Sequence, residues 1–196
     1  MGFKEVAFSE KTAGGYYSNL VEGLEKGELF SGSVVACIRA NRFGKDWNLE
    51  KISFHPNKVS LRWCGGHASP CRILSKEIIN PTNGLRVLFI NGREKSKIIS
   101  GKKVYGKFRP GLALYNPETG EIPWVDSKYL IEDPDAITIT FASEIFALDK
   151  EHLLVYAHVN DSFVRAYRVE LDAIKKRLPK RFYRRKNPDN EKIFKL

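Results

Sequence analysis

The sequence predicts an α/β fold in which a mixed, partly antiparallel central sheet is flanked by helices, with a β-rich elaboration at the N-terminus. Two observations carry this expectation. Segments of helical spacing alternate with short β-rich runs, the order that lays helices against a sheet. In addition, 196 residues with 42% hydrophobic and 12% aromatic content suit one sizeable core.

The elements follow in order. Tyr17 to Lys26 places Leu20, Val21 and Leu24 at helical spacing, and Gly27 can end the helix. Phe30 to Arg39 reads as a strand, with Val34, Val35 and Ile38 in an apolar run. Lys51 to Trp63 reads as a hairpin turning at His55 to Lys58. Leu85 to Asn91 has the composition of a buried strand, and Lys97 to Val104 that of a weaker one. Leu112 to Tyr115 and Glu121 to Tyr129 form two arms around Asn116-Pro-Glu-Thr-Gly120, which carries strong turn chemistry. Ala136 to Phe141 is a further strand, after which Thr140 can cap a short helix holding Glu144 and Phe146. His152 to Val159 and Phe163 to Val169 pair around Asn160-Asp161-Ser162, and Leu171 to Leu178 is helical up to Pro179. With no repeat or linker, residues 1–179 form one domain, divided into 1–104 (elaboration) and 105–179 (core), and 180–196 are a basic tail.

Charge speaks to partners. Lys and Arg outnumber Asp and Glu by 33 to 23, a net charge of +10, and a polyanion gains by releasing counterions onto such a surface. DNA is the expected partner, with RNA ranked below it. No stretch approaches the roughly 20 apolar residues of a membrane span. The start of the chain carries acids and lacks a secretory core, so a soluble, cytoplasmic protein is expected. Three cysteines argue against a secreted disulfide scaffold. The absence of Gln and the single Met lean toward a thermophile.

The stretch from Phe108 to Leu130 carries the most chemistry. Asp126 and Lys128 stand two apart on the second arm, a spacing that puts both on one face of a strand. A carboxylate can hold a divalent cation that activates water, and an ammonium beside it can steady developing charge, which is what phosphodiester hydrolysis requires. From Arg109 to Lys128 the chain resembles the PD-(D/E)xK nuclease superfamily, and the likeness extends over roughly Phe108 to Leu178. The resemblance implies a restriction-endonuclease-like core and a Mg²⁺- or Mn²⁺-dependent DNA endonuclease that acts as a homodimer. It implies that Asp126 binds metal, that Lys128 assists the nucleophile and that the Ser127 carbonyl joins the metal shell. An acid on the first helix, Glu22 or Glu25, would complete the site. Where the superfamily has Pro-Asp, this chain has Pro110-Gly111, and Gly111 supplies no ligand. Three readings of Gly111 stand: an inactivating substitution, an acid relocated to Glu118 or Glu144, or a degenerate scaffold that binds nucleic acid without cutting it.

Other constellations are weaker. Cys64, His67 and Cys71 supply three zinc-type ligands within eight residues, with His55 or Cys37 as a fourth, and a Cys64–Cys71 disulfide is the other reading. His158 and Asp161, three apart at a strand end, offer an acid–base pair. Arg177, Lys180, Arg181, Arg184, Arg185 and Lys186, interleaved with Phe182 and Tyr183, are candidates for phosphate contact and base stacking. A second basic set, including Arg93, Lys95 and Lys97, is spread through loops and hairpins.

Overall fold

Antiparallel β-sheets stacked face to face make up this computed structural model, which describes residues 3–6, 10–27 and 30–182. The first sheet contains β1 (Phe3–Val6), β2 (Glu10–Lys11), β3 (Tyr17–Lys26), β4 (Ser31–Ala40) and β5 (Asn48–Phe54), in the order β1-β3-β4-β5 with β2 against β3. The second runs β6 (His67–Ile73), β7 (Arg86–Arg93), β10 (Phe108–Asn116), β11 (Glu121–Val125). A separate hairpin of β8 (Lys97–Ile99) and β9 (Lys102–Val104) is inserted between β7 and β10. The third sheet is the meander β12 (Thr140–Ala147), β13 (His152–Val159), β14 (Phe163–Glu170), followed by the helix α1 (Leu171–Arg177). The edge strand β6 packs against β1, β3 and β4 on one side and against β12 on the other.

This corrects the expected α/β architecture. Its source was the apolar character of the strands themselves. β7 and β10 are apolar on both faces: Val87, Phe89, Leu112 and Leu114 enter one core, and Leu88, Ile90, Ala113 and Tyr115 enter the other. Such runs normally mark a parallel sheet covered by helices. Here the cover is the first sheet on one side, and on the other the third sheet with the single helix α1. Each fully buried large apolar side chain contributes roughly 1.5–3 kcal/mol, so the doubly covered middle sheet concentrates the stabilisation.

The same cause explains two misread helices. Residues 17–26 are strand β3, because Leu20 points into the core shared with the second sheet while its neighbour Val21 points into the opposite one with Ala36 and Ile38. With both faces buried, apolar residues at helical spacing occur without a helix. The segment after Thr140 is strand β12, with Ala142 and Ile145 in the core. A bulge between Ala142 and Glu144 is served by the fully buried Asn91 of β7. The Ala142 N–H donates to Asn91 Oδ1 at 2.8 Å, and Asn91 Nδ2 donates to the Ala142 carbonyl at 2.9 Å. One amide side chain thereby joins the second and third sheets through a strand-like pair of bonds.

Gly111 has a packing role. The Trp63 indole, 3% exposed, is seated on glycines of two adjacent strands, Gly92 of β7 and Gly111 of β10. A Cβ at Gly111 would lie 2.4 Å from Trp63 Cη2, and one at Gly92 would lie 2.5 Å from Cζ3. The indole cannot swing away freely, because its Nε1–H donates to the Asp126 carbonyl at 2.9 Å. Glycine is required here by an aromatic ring. Gly111→Asp should therefore cost roughly 3 kcal/mol or more and lower the melting midpoint by on the order of 10 °C. Thermal unfolding followed by circular dichroism checks this; an unchanged midpoint would contradict the seat.

Candidate functional site

The residues of the expected nuclease site do not assemble. Strand β11 ends at Val125, so Asp126 and Lys128 sit in the bend beyond it and share no strand face. Asp126 is buried and fully engaged: Oδ2 accepts from Arg177 Nε at 2.6 Å, and Oδ1 accepts from the Lys128 N–H at 3.1 Å. Lys128 and Ser127 point into solvent. Arg177 also donates through Nη2 to the carbonyls of Lys128 (2.7 Å) and Tyr129 (3.0 Å). It clamps α1 to this bend and is not a free phosphate hook. Glu22 and Glu25 lie on strand β3, not a helix, and each faces a histidine: Glu22 faces His67 and Glu25 faces His55. A Mg²⁺ or Mn²⁺ ion bound at Asp126 would have to displace both of its partners and would gain nothing from Gly111, so these residues do not fit the metal. Lys180 and Arg181 lie in a 3-10 turn after α1. Arg184, Arg185 and Lys186 lie outside the described residues.

The zinc constellation does not fit either. Cys64 is buried in the core beside Trp63, and burial pushes its thiol up to about 12, away from the thiolate a metal needs. His67 is turned to Glu22, and no disulfide joins Cys37, Cys64 or Cys71. Among the described residues, no three His, Cys, Asp or Glu side chains converge on one point.

What the fold does bring together is a row along one rim. His67 opens β6, Arg93 closes β7 and Phe108 opens β10; they are in direct register, with Arg93 opposite both of the others. Phe141 near the start of β12 is opposite His158 near the end of β13. Ring centroids follow one another at 4.9 Å (His67–Phe108), 5.8 Å (Phe108–Phe141) and 5.0 Å (Phe141–His158). A bridge from Phe108 to Ile139 brings the second and third sheets together at this level. One end of the row is closed by Glu22, whose Oε1 lies 3.3 Å from His67 Nε2. The other is closed by Asp161, whose Oδ1 lies 3.2 Å from His158 Nδ1. The pair anticipated at His158 and Asp161 thus exists, as one end of a longer constellation.

The polar groups of the row are tuned by their partners. Burial would raise the Glu22 carboxyl, but hydrogen bonds from His67, Ser33 and Ser69, together with the His67 charge, hold it at about 2. Ser33 Oγ donates to it at 2.5 Å. Glu22 is therefore a fixed anion and acceptor throughout the physiological range. Arg93 lies over the rings of Tyr105 (5.3 Å) and Phe108 (5.4 Å), and no carboxylate among the described residues pairs with it. Its Nε is buried without a hydrogen-bond partner, and burial lowers its pKa. Alongside, Arg109 bridges Glu94 (3.0 Å) and Glu132 (2.9 Å) and stacks on Tyr129 at 4.6 Å, which braces the start of β10.

Phe108, Phe141 and Arg93 were not singled out together by sequence. They are far apart along the chain, and their only shared mark is a position at a strand end, which depends on strand boundaries and sheet stacking.

Glu22 also predicts a pH effect. Its pKa is depressed on folding, so its contribution is fully present above its ordinary value of 4.5 and is lost as pH falls from there toward about 2. At most about 3 kcal/mol is at stake. Glu22→Gln should flatten the acid limb of stability between pH 4.5 and 2 in urea unfolding. An acid limb as steep as that of the parent would contradict the assignment.

Comparison with known proteins bears on the fold. No protein-family model matches the chain, and no curated protein sequence matches it. A solved structure does: β-1,2-mannobiose phosphorylase from Listeria innocua in complex with β-1,2-mannobiose. The match has a TM-score of 0.63 at 13% identity, covering 90% of this chain and 46% of that one. The chain therefore spans less than half the length of the structure it resembles. The likeness is one of fold, to a protein that is an enzyme, and it replaces the nuclease resemblance. With that scaffold fall the endonuclease function and its degenerate, DNA-binding variant. No helix among the described residues is long and apolar enough to cross a membrane.

Proposed function

We propose that this chain is the saccharide-holding part of a carbohydrate-active protein and that the rim row from Glu22 to Asp161 is where the sugar lies. The observation that carries the reading is the row itself: two phenylalanines and two histidines in edge-to-face or tilted succession across two sheets, with a carboxylate–imidazole pair at each end. A pyranose has apolar C–H faces and a polar rim of hydroxyls. Half-buried rings suit the faces, and a few convergent polar groups fix orientation. Glu22, held ionised, accepts from hydroxyls, and Arg93 donates to ring or hydroxyl oxygens. The fold likeness to a phosphorylase solved with β-1,2-mannobiose supports a short mannoside as the first ligand to try. Chemistry on the bound sugar would be placed at the Glu22–His67 end, where the buried carboxylate orients the imidazole.

Isothermal titration with β-1,2-mannobiose, and with gluco- and galacto-configured disaccharides as comparators, tests this. Mannobiose should bind, and Phe108→Ala or Phe141→Ala should each weaken it by about 10-fold, the loss of one ring contact. Both variants must retain the parent's far-ultraviolet spectrum. Failure of every disaccharide to bind at about 10 mM, or undiminished binding by both variants, would overturn the proposal.

A further inference from the structure

A cleft of about 390 Å³ opens between the loop that follows β5 and the residues just after β7. Its walls carry four cations, Lys58, Arg62, Lys95 and Lys97, and one acid, Glu94. The acid does not neutralise them, because Glu94 is the 3.0 Å partner of the buried Arg109. Among the described residues no carboxylate pairs with Lys58, Arg62, Lys95 or Lys97. Four uncompensated cations around one cavity repel each other, and such a cluster raises the local concentration of any anion that fits.

The cleft is also built, as a chance gathering of surface lysines would not be. The 3-10 turn Pro56–Lys58 is capped by His55, whose Nδ1 accepts from the Asn57 N–H at 3.2 Å. Asn57 Oδ1 then accepts from Lys95 Nζ at 2.8 Å, so the ammonium is held across the cavity mouth by a neutral partner. The Lys95 stem lies on Gly65, where an added Cβ would sit 3.5 Å from both Cγ and Cε and 2.9 Å from the Leu61 carbonyl oxygen. Val59 and Leu61 give the cleft an apolar floor.

We infer that this cleft is an anion site for a small phosphomonoester, the dianionic phosphate lying among Lys58, Arg62, Lys95 and Lys97 and the organic part on Val59 and Leu61. A dianion draws more from clustered cations than a carboxylate does, and Arg62 can meet two phosphate oxygens at once. The cavity is larger than a phosphate alone needs, and its cations converge on one cleft where nucleic acid would call for a stripe. The inference stands on these residues and is independent of the rim reading.

Titrating the full chain with glucose 6-phosphate, inorganic phosphate and glucose, at about 20 mM and 150 mM salt, tests it. Glucose 6-phosphate should bind at least 10-fold more tightly than glucose and more tightly than inorganic phosphate. The double variant Arg62→Gln/Lys95→Gln should lose at least 10-fold of that affinity at an unchanged melting midpoint, and its mannobiose binding should match the parent's. The inference fails if glucose 6-phosphate does not bind at 10 mM, or if the double variant binds it as well as the parent. A single-stranded oligonucleotide that binds through these cations while glucose 6-phosphate does not would equally overturn it.

Discussion

Burial of the middle sheet on both faces is the constraint on which the rest of the molecule depends. β7 and β10 place alternate residues in two different cores, one closed by the first sheet and the other by the third sheet together with Leu171 and Ile174 of α1. Because neighbouring sheets must approach closely, bulk is removed wherever something else has to pass. Gly92 and Gly111 leave room for the Trp63 indole, and Asn91 replaces strand pairing at the bulge of β12. These substitutions of packing for pairing hold the sheets in one relative position, and that position brings His67, Phe108, Phe141 and His158 into line.

The electrostatics of the surface follow from the same frame. Buried or half-buried charges are met individually: Asp126 by Arg177, Arg109 by Glu94 and Glu132, Asp133 by Arg165, Glu22 by His67. Removing one partner from such a pair leaves an uncompensated charge, so these groups are fixed parts of the architecture. Among the described residues, no carboxylate pairs with the cations of the cleft around Lys95 or, on the rim, with Arg93. Ion pairs cancel, so the net charge of +10 resides in cations that no acid matches.

Much of the local structure was legible in the sequence. The strands at residues 86–93, 152–159 and 163–170, the turn at Asn116–Gly120 and the helix α1 all lie close to where turn residues and apolar runs put them. The layer architecture was not, because double burial removes the alternation that separates an exposed strand from a helix, as at Leu20 and Val21. Asp126 and Lys128 misled for a different reason. A two-residue spacing implies one face only inside a strand, and β11 stops one residue short of Asp126. Gly111 misled because a missing acid and a seat for tryptophan are the same letter in a sequence. His158 and Asp161 were identifiable, since their spacing closes a local pair without any knowledge of the stacking.

In the proposed function, sheet stacking makes one continuous saccharide surface from residues far apart along the chain. Backbone amide shifts during a titration with β-1,2-mannobiose, recorded by two-dimensional NMR on the ¹⁵N-labelled chain, test it most directly. The claim predicts that the largest shifts fall together on Glu22, His67, Arg93, Phe108, Phe141 and His158 and saturate with a single constant. Shifts confined to one sheet, or absent from the rim while present elsewhere, would contradict it.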